Sequence, residues 1–432
     1  MNVYDSERMA EALEADGLIA SEEVDADILI LNTCHIREKA AEKLYSEIGR
    51  ISKRARKMGT DKPVIAVTGC VAQAEGGEIM RRAGAVDLVV GPQAYHRLPE
   101  LLRAQANGQT GIVDLDMPIS PKFDHLPARV RRAPSAFLTV QEGCDKFCAF
   151  CVVPYTRGSE ASRPLAGIVA EAEMLAQSGA REITLLGQNV NAWHDPGDRS
   201  SDFGTLVRAV ASVPGVARLR YTTSHPRDVS EAMVRAHAEI PEMMPYLHLP
   251  VQSGSDRVLA AMNRKHDRAF YLDLIARFRS ARPDLAITSD FIVGFPGETE
   301  ADFCDTLSIV DEVGYAQAFS FKYSPRLGTP AADRADQISE HVKSERLQRL
   351  QQRILANSLS FNRAMVGRNC DILIERRGKR SDQWIGKSPW LQSVVVSDPA
   401  LAPGQIVNVE LVAAGPNSLE GRLVTMTTAV AW

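Results

Sequence analysis

From residue 137 the chain carries six short apolar runs, FLTVQ (137–141), EITLLG (182–187), RLRYTT (218–223), YLHLPVQ (246–252), AITSDFIVGF (286–295) and AFSFKYS (318–324), with a helical segment between each pair. Apolar runs of this length read as strands buried on both faces, which is the environment of parallel strands. The intervening helices supply the crossovers that parallel pairing requires. In the first crossover Pro164 opens a helix with Leu165, Ile168, Ala172 and Leu175 on one face, and Gly179 closes it. Six units rather than eight predict an α/β sheet rolled into an incomplete six-stranded (β/α) barrel, whose chemistry belongs at the C-terminal ends of the strands.

A similar alternation precedes it. Asp5 or Ser6 can cap a helix bearing Met9, Ala12 and Leu13 that Gly17 ends, and ADILILN (26–32), PVIAVTG (63–69) and VDLVVG (86–91) are strand-length runs, with a helix to about Gly49 after the first. This predicts a doubly wound α/β domain over 1–106 that begins with a helix. Gly, Pro and Asp make 107–134 a linker, and the barrel then occupies 135–335. A connecting helix lies in 336–365, with Leu347, Leu350 and Ile354 on one face and Arg346, Arg349 and Arg353 on another. Short β-rich runs between 366 and 432 predict a small antiparallel barrel.

No stretch of eighteen apolar residues occurs and the N-terminus is acidic, so a cytoplasmic protein without a membrane span is expected. Net charge is −4, which does not announce a nucleic-acid partner, although basic residues bunch in SKRARK (52–57), ARVRR (128–132) and ERRGKR (375–380). Seven cysteines are scattered apart from one tight group, a pattern that in a reducing compartment points to metal binding or catalysis before disulfides. That group is CDKFCAFC: Cys144, Cys148 and Cys151, immediately after the first barrel strand. Structural zinc and ordinary cubane clusters take four protein ligands, so three thiolates leave one coordination position open for chemistry. The competing reading is a zinc site completed by a distant histidine such as His125 or His194.

The spacing CxxxCxxC in this setting resembles the radical S-adenosylmethionine enzymes. The longer stretches EGCDKFCAFCVVPYTRGSEASRP (142–164), LHLPVQSGSDRVLAAMNRKHDRAFY (247–271) and SDFIVGFPGETEADF (289–303) resemble the methylthiotransferases among them, in particular the branch acting on isopentenylated adenosine in tRNA. The resemblance spans essentially the whole chain and includes a C-terminal TRAM-like domain. It implies a 4Fe-4S cluster on Cys144, Cys148 and Cys151 whose open iron takes S-adenosylmethionine and yields a 5'-deoxyadenosyl radical. It also implies insertion of sulfur at C2 of the adenosine beside the anticodon, followed by methylation.

By the same resemblance LNTCHIREKA and AVTGCVAQ make Cys34 and Cys70 ligands of a second, auxiliary 4Fe-4S cluster. The family's third ligand stands two residues before a Met-Asn pair, after a first strand; here Met1-Asn2 begins the chain, so a start placed too far downstream is expected. Glu160, Ser162, Arg163, Gln188, Asn189, Gln252 and Asp290 are implied near S-adenosylmethionine. Tyr155 and Arg157 are expected to contact RNA, as are Arg376, Arg377, Lys379, Arg380 and Trp384, with Lys387 and Trp390 close by. His225 and Arg227 lie beyond a strand end where they could meet nucleotide. Cys304 and Cys370 read as inert. The implied partners are a tRNA anticodon stem-loop, a flavodoxin- or ferredoxin-like reductant and a sulfur donor, with the protein a monomer. A threonylcarbamoyl adenosine, a ribosomal-protein aspartate, or a zinc-stabilised RNA-binding role are the alternatives.

Overall fold

In the computed structural model the described residues are 1–35, 38–59, 61–117, 122–129 and 133–424. After a first helix, four parallel strands pair in the spatial order of their numbering, β1 (Ile28–Asn32), β2 (Val64–Thr68), β3 (Leu88–Val90) and β4 (Ile112–Asp114). Helices cover both faces. Met9, Leu13, Leu98 and Leu102 pack on one side of the sheet, and Leu44, Ile48, Ile51 and Val71 on the other.

Three local expectations change here. Strand β4 lies inside the stretch expected to be a plain linker; its three residues complete the sheet by pairing with β3. The helix expected to stop near Gly49 runs from Glu38 to Met58, because Ile48 and Ile51 continue its buried stripe and outweigh the roughly 1 kcal/mol that one helical glycine costs. The first helix, Asn2–Ala15, starts before Asp5 and has no side-chain cap, so Asp5 sits inside it and is buried.

The second unit is the expected incomplete barrel, in two halves. Strands β5 (Ser135–Thr139), β8 (Glu182–Leu186) and β9 (Arg218–Thr222) form one parallel trio, and β10 (Tyr246–His248), β11 (Ala286–Val293) and β12 (Gln317–Lys322) form the other. Between β5 and β8 a short antiparallel pair, β6 (Gln141–Glu142) and β7 (Ala161–Ser162), brackets the cysteine loop. The halves meet at one bridge, Leu219 with Met243, through Leu219 N to Glu242 O at 2.7 Å and Met244 N to Leu219 O at 3.0 Å. Asp202, Ser230, Ser255, Asp267 and Thr299 each cap the helix that follows by accepting from a backbone N–H in its first turn, which sets where the crossovers begin.

Helix Glu340–Ala364 leads out along the second half, with Leu350 and Ile354 buried against the barrel core and Arg346 paired with Glu298 at 2.8 Å. It delivers the chain to a closed barrel of β13 (Asn369–Arg377), β14 (Gln383–Lys387), β15 (Ser393–Ser397), β16 (Ile406–Ala414) and β17 (Leu419–Leu423). Every pairing is antiparallel except β15 with β17, which is parallel and closes the ring. Two buried arginines of β9 anchor this barrel. Arg218 donates to Lys387 O and Asp371 O at 2.8 and 2.7 Å, and Arg220 donates to Pro389 O and Ser388 O at 2.7 and 2.9 Å. Glu182 lies 3.0 Å from Arg220 and neutralises part of their charge.

Candidate active site

The cysteine loop springs from β6, just past the C-terminal end of β5. Its entry, Gly143, has φ +72°, and a Cβ there would stand 2.0 Å from Ser159 O, so no other residue fits. The loop is pinned at several points: Cys144 N donates to Gly158 O at 3.3 Å, Cys151 N to Cys148 O at 2.9 Å, and Ala149 N to Met262 O at 2.9 Å. Phe147, with φ +48°, bends the segment between the first two cysteines. At the far end, the backbone N–H of Val153, first residue of helix Val153–Arg157, donates to Cys151 Sγ at 3.5 Å, and the Arg264 guanidinium donates to Cys148 Sγ at 3.5 Å.

Burial pushes the Cys144 thiol up to about 11 and the Cys151 thiol up to about 12. At Cys144 and Cys151 burial therefore favours the neutral thiol, and a bound cation would have to displace those protons. A set of three soft sulfur donors with no carboxylate among them fits an iron-sulfur cluster or zinc, and not magnesium or calcium. Among the described residues no three His, Cys, Asp or Glu side chains converge on one ion position. That is compatible with a cubane, whose thiolates go to different irons.

Beside Cys144 lies a polar group from three strand ends. Gln188 accepts from Gly143 N at 2.6 Å, and the buried Asn189 donates to Asp228 at 2.7 Å and to Glu160 at 3.4 Å. Lys146 pairs with the other Asp228 oxygen at 2.7 Å. Burial raises the Glu160 carboxyl above its ordinary value. Glu160, Gln188 and Asn189 are thus gathered beside the cysteine loop, together with Lys146 and Asp228, lone residues in ordinary-looking loops that sequence reasoning missed. Gln252 and Asp290 occupy the rim of the other half: Gln252, at φ +79°, donates its N–H to Asp290 O at 3.0 Å, and the Asp290 carboxylate stands 3.5 Å from His248 Nε2. His225 is buried, exchanges two hydrogen bonds with Asn191, and is held far below its ordinary value by burial and then by Arg264.

Four assigned side chains sit elsewhere. Ser162 accepts from His194 N at 3.3 Å. Arg163 is spent on Thr139 O at 2.6 Å, on Glu171 at 2.8 Å and on the face of Phe123, so it braces the barrel wall. Arg157, expected beside Tyr155 as an RNA contact, is buried and paired with Asp5 and Glu142. Tyr155 is half exposed and meets the equally exposed Phe147 edge to face. Trp384 lies in the core of the terminal barrel, under Arg377, and cannot stack on a base. Arg376, Arg377, Lys379 and Arg380 are exposed at the end of β13 and the turn after it.

Cys34 and Cys70 follow β1 and β2. Gly69, at φ +86°, would place a Cβ 2.4 Å from Asn32 Oδ1, and Val71 N donates to Thr33 O at 3.2 Å, so the two loops touch. Helix Cys70–Glu75 packs on helix Val153–Arg157, and Gln93 donates to Arg157 O at 3.0 Å. Both cysteine-bearing loops therefore face one junction. Behind it Arg157 and Lys122 meet Asp5 and Glu142, with Lys122 to Glu142 at 2.8 Å and all four buried. Burial alone would raise the Asp5 carboxyl; Arg157 and Lys122 outweigh it and hold it below its ordinary value.

Comparison with known proteins follows the same division. The radical SAM superfamily profile matches residues 138–310, the uncharacterized protein family UPF0004 matches 1–91, and the TRAM domain matches 363–424. A relative from Erythrobacter litoralis is 59% identical over 99% of this chain and 96% of its own length, and one from Novosphingobium aromaticivorans is 58% identical over 98% and 95%. Each is named tRNA-2-methylthio-N(6)-dimethylallyladenosine synthase. Among solved structures, the radical S-adenosylmethionine methyltransferase TsrM from Kitasatospora setae, with cobalamin and a [4Fe-4S] cluster bound, shares the fold at TM-score 0.56 and 14% identity, covering 77% of this chain and 71% of that one.

The buried four-charge group yields a prediction. Asp5→Asn leaves Arg157 buried with one partner fewer, and breaking such a pair costs about 3–5 kcal/mol. Hydrogen exchange of the Asn2–Ala15 helix is expected to accelerate by about a hundredfold or more. The Asp5 contribution is complete above its ordinary value of 3.8 and is lost as pH falls through the depressed folded value, so the variant should lack that part of the wild-type acid lability.

Proposed function

The chain belongs to the family of tRNA-2-methylthio-N(6)-dimethylallyladenosine synthases, and from that premise we propose how its residues serve the reaction. The reaction is radical S-adenosylmethionine-dependent methylthiolation at C2 of N6-isopentenyladenosine beside the tRNA anticodon. The observation that carries the reading is a three-thiol loop on the rim of a parallel half-barrel, in a chain that also carries a closed barrel with exposed arginines. When bound, the cluster on Cys144, Cys148 and Cys151 together with S-adenosylmethionine supplies the radical chemistry.

The chain's own part is to bind, orient and exclude water. Gln188 fixes the backbone at Gly143, and so the direction in which the cysteine loop leaves β6. Asn189, Glu160 and Asp228 offer a half-buried polar wall beside Cys144, suited to a cationic or hydroxyl-bearing ligand. Gln252 and Asp290 face it from the second half of the rim. Cys34 and Cys70 supply two ligands of a second 4Fe-4S cluster at the junction with the first. A flavodoxin- or ferredoxin-like protein delivers electrons, a separate donor restores sulfur, and the protein acts as a monomer in the cytoplasm. No helix among the described residues is long and apolar enough to cross a membrane.

Three outcomes check this reading. In tRNA nucleosides from cells lacking the gene, 2-methylthio-N6-isopentenyladenosine is expected to vanish and N6-isopentenyladenosine to accumulate; a lesion confined to threonylcarbamoyl adenosine or to a ribosomal-protein aspartate would reassign the substrate. After anaerobic reconstitution the chain, which supplies only Cys34 and Cys70 toward the second cluster, is expected to hold about four irons; about eight, falling to about four in Cys34→Ala/Cys70→Ala, would mean that another group replaces the missing thiolate, and zinc would remove the radical chemistry. Replacing Arg376, Lys379 and Arg380 together with Ser is expected to weaken anticodon stem-loop binding and to lower the salt dependence, the slope of log K against log salt, by about two. An unchanged slope would place the RNA on another face.

A further inference from the structure

Arg264 is 5% exposed, and its position is built rather than incidental. Its neighbours Asn263 and Lys265 both have φ +60°, a conformation unfavourable for residues with side chains, so the corner is held by its contacts. Those contacts are with the cysteine loop. Met262 O accepts from Ala149 N at 2.9 Å, and Asn263 Nδ2 donates to Phe147 O at 2.9 Å, one on each side of Cys148. Between them the guanidinium donates to Cys148 Sγ at 3.5 Å and to Pro250 O at 2.7 Å, while its Nε has no partner.

Among the described residues no carboxylate is paired with this cation, whereas the other deeply buried arginines described above, Arg157, Arg218, Arg220 and Arg346, each have at least one. The nearby imidazoles do not compete for the role: burial first, then Arg264, holds His266 down to about 4 and His225 lower still, so both are neutral at physiological pH. A buried guanidinium without a counter-charge is costly. Three thiolates around an iron-sulfur core carry net negative charge, which deepens when the core takes up an electron.

We propose that Arg264 is the fixed counter-charge of the cysteine-loop cluster, a positioning residue that raises the cluster's reduction potential through its charge and its N–H···S bond to Cys148. A cation in a low-dielectric setting favours the more negative, reduced state, and hydrogen bonds to ligating sulfur act in the same direction. The inference rests on the iron-sulfur reading above.

The test uses the full chain in a Cys34→Ala/Cys70→Ala background, so that one cluster is observed, with Arg264 intact, as Arg264→Gln and as Arg264→Lys. Midpoint potentials are read from the electron paramagnetic resonance of the reduced cluster in an anaerobic redox titration. At the potential where the Arg264 protein is half reduced, the reduced-to-oxidised ratio of Arg264→Gln is expected to fall about tenfold, or about 59 mV for a one-electron couple, while Arg264→Lys stays within about twofold. A Gln variant that titrates with the parent, or a Lys variant that falls as far as Gln, overturns the proposal. Should the Gln variant fail to retain iron, a Lys variant that retains it at the parent potential supports the counter-charge, and loss of iron in both overturns it. Absence of any iron-sulfur cluster in the parent would be a failure of the functional reading instead.

Discussion

Four buried charges, Asp5, Lys122, Glu142 and Arg157, hold the working parts of this protein in register. Each comes from a different segment: the first helix, the stretch between the two α/β units, the residue pair before Cys144, and the helix after Cys151. Charges removed from water must be paired well, and losing one strands the others. The group therefore specifies one arrangement of the N-terminal sheet on the barrel, and with it how the loops of Cys34 and Cys70 face the loop of Cys144, Cys148 and Cys151.

Much of the architecture was legible because parallel strands buried on both faces leave short apolar runs, as PVIAVTG and VDLVVG do. Strand β4 was not, since three residues with an exposed Val113 carry no such run and owe their conformation to pairing with β3. The cysteine spacing was legible because ligand geometry constrains it. Arg157 was misread because adjacency in sequence is not adjacency in space: two residues along a helix turn a side chain by about 200°, which leaves Tyr155 outside and sends Arg157 to Asp5. Arg264 carries no signal in composition or periodicity; its meaning lies in a backbone corner and in the missing carboxylate, which only coordinates reveal.

Electrostatics divide the barrel by level. Near the strand starts, Arg218, Arg220 and Glu182 form a buried set whose donors are spent on backbone carbonyls of the terminal barrel, fastening it without side-chain complementarity. Around the cysteine loop the polar groups come from the loops beyond the strand ends and from the corner after one short helix. Asn189 Oδ1, His225 Nε2 and Arg264 Nε are buried without partners, as expected of a surface shaped for a ligand rather than for itself.

Glu375, one residue before the exposed arginines, receives a hydrogen bond from Ser135 at 2.7 Å, at the very start of β5. The cysteines follow the other end of that strand. Five residues at about 3.3 Å each make a separation of about 17 Å along the sheet. The protein therefore holds two features at a fixed spacing: any single molecule that touched both the exposed arginines and the cysteine rim would have to reach at least that far.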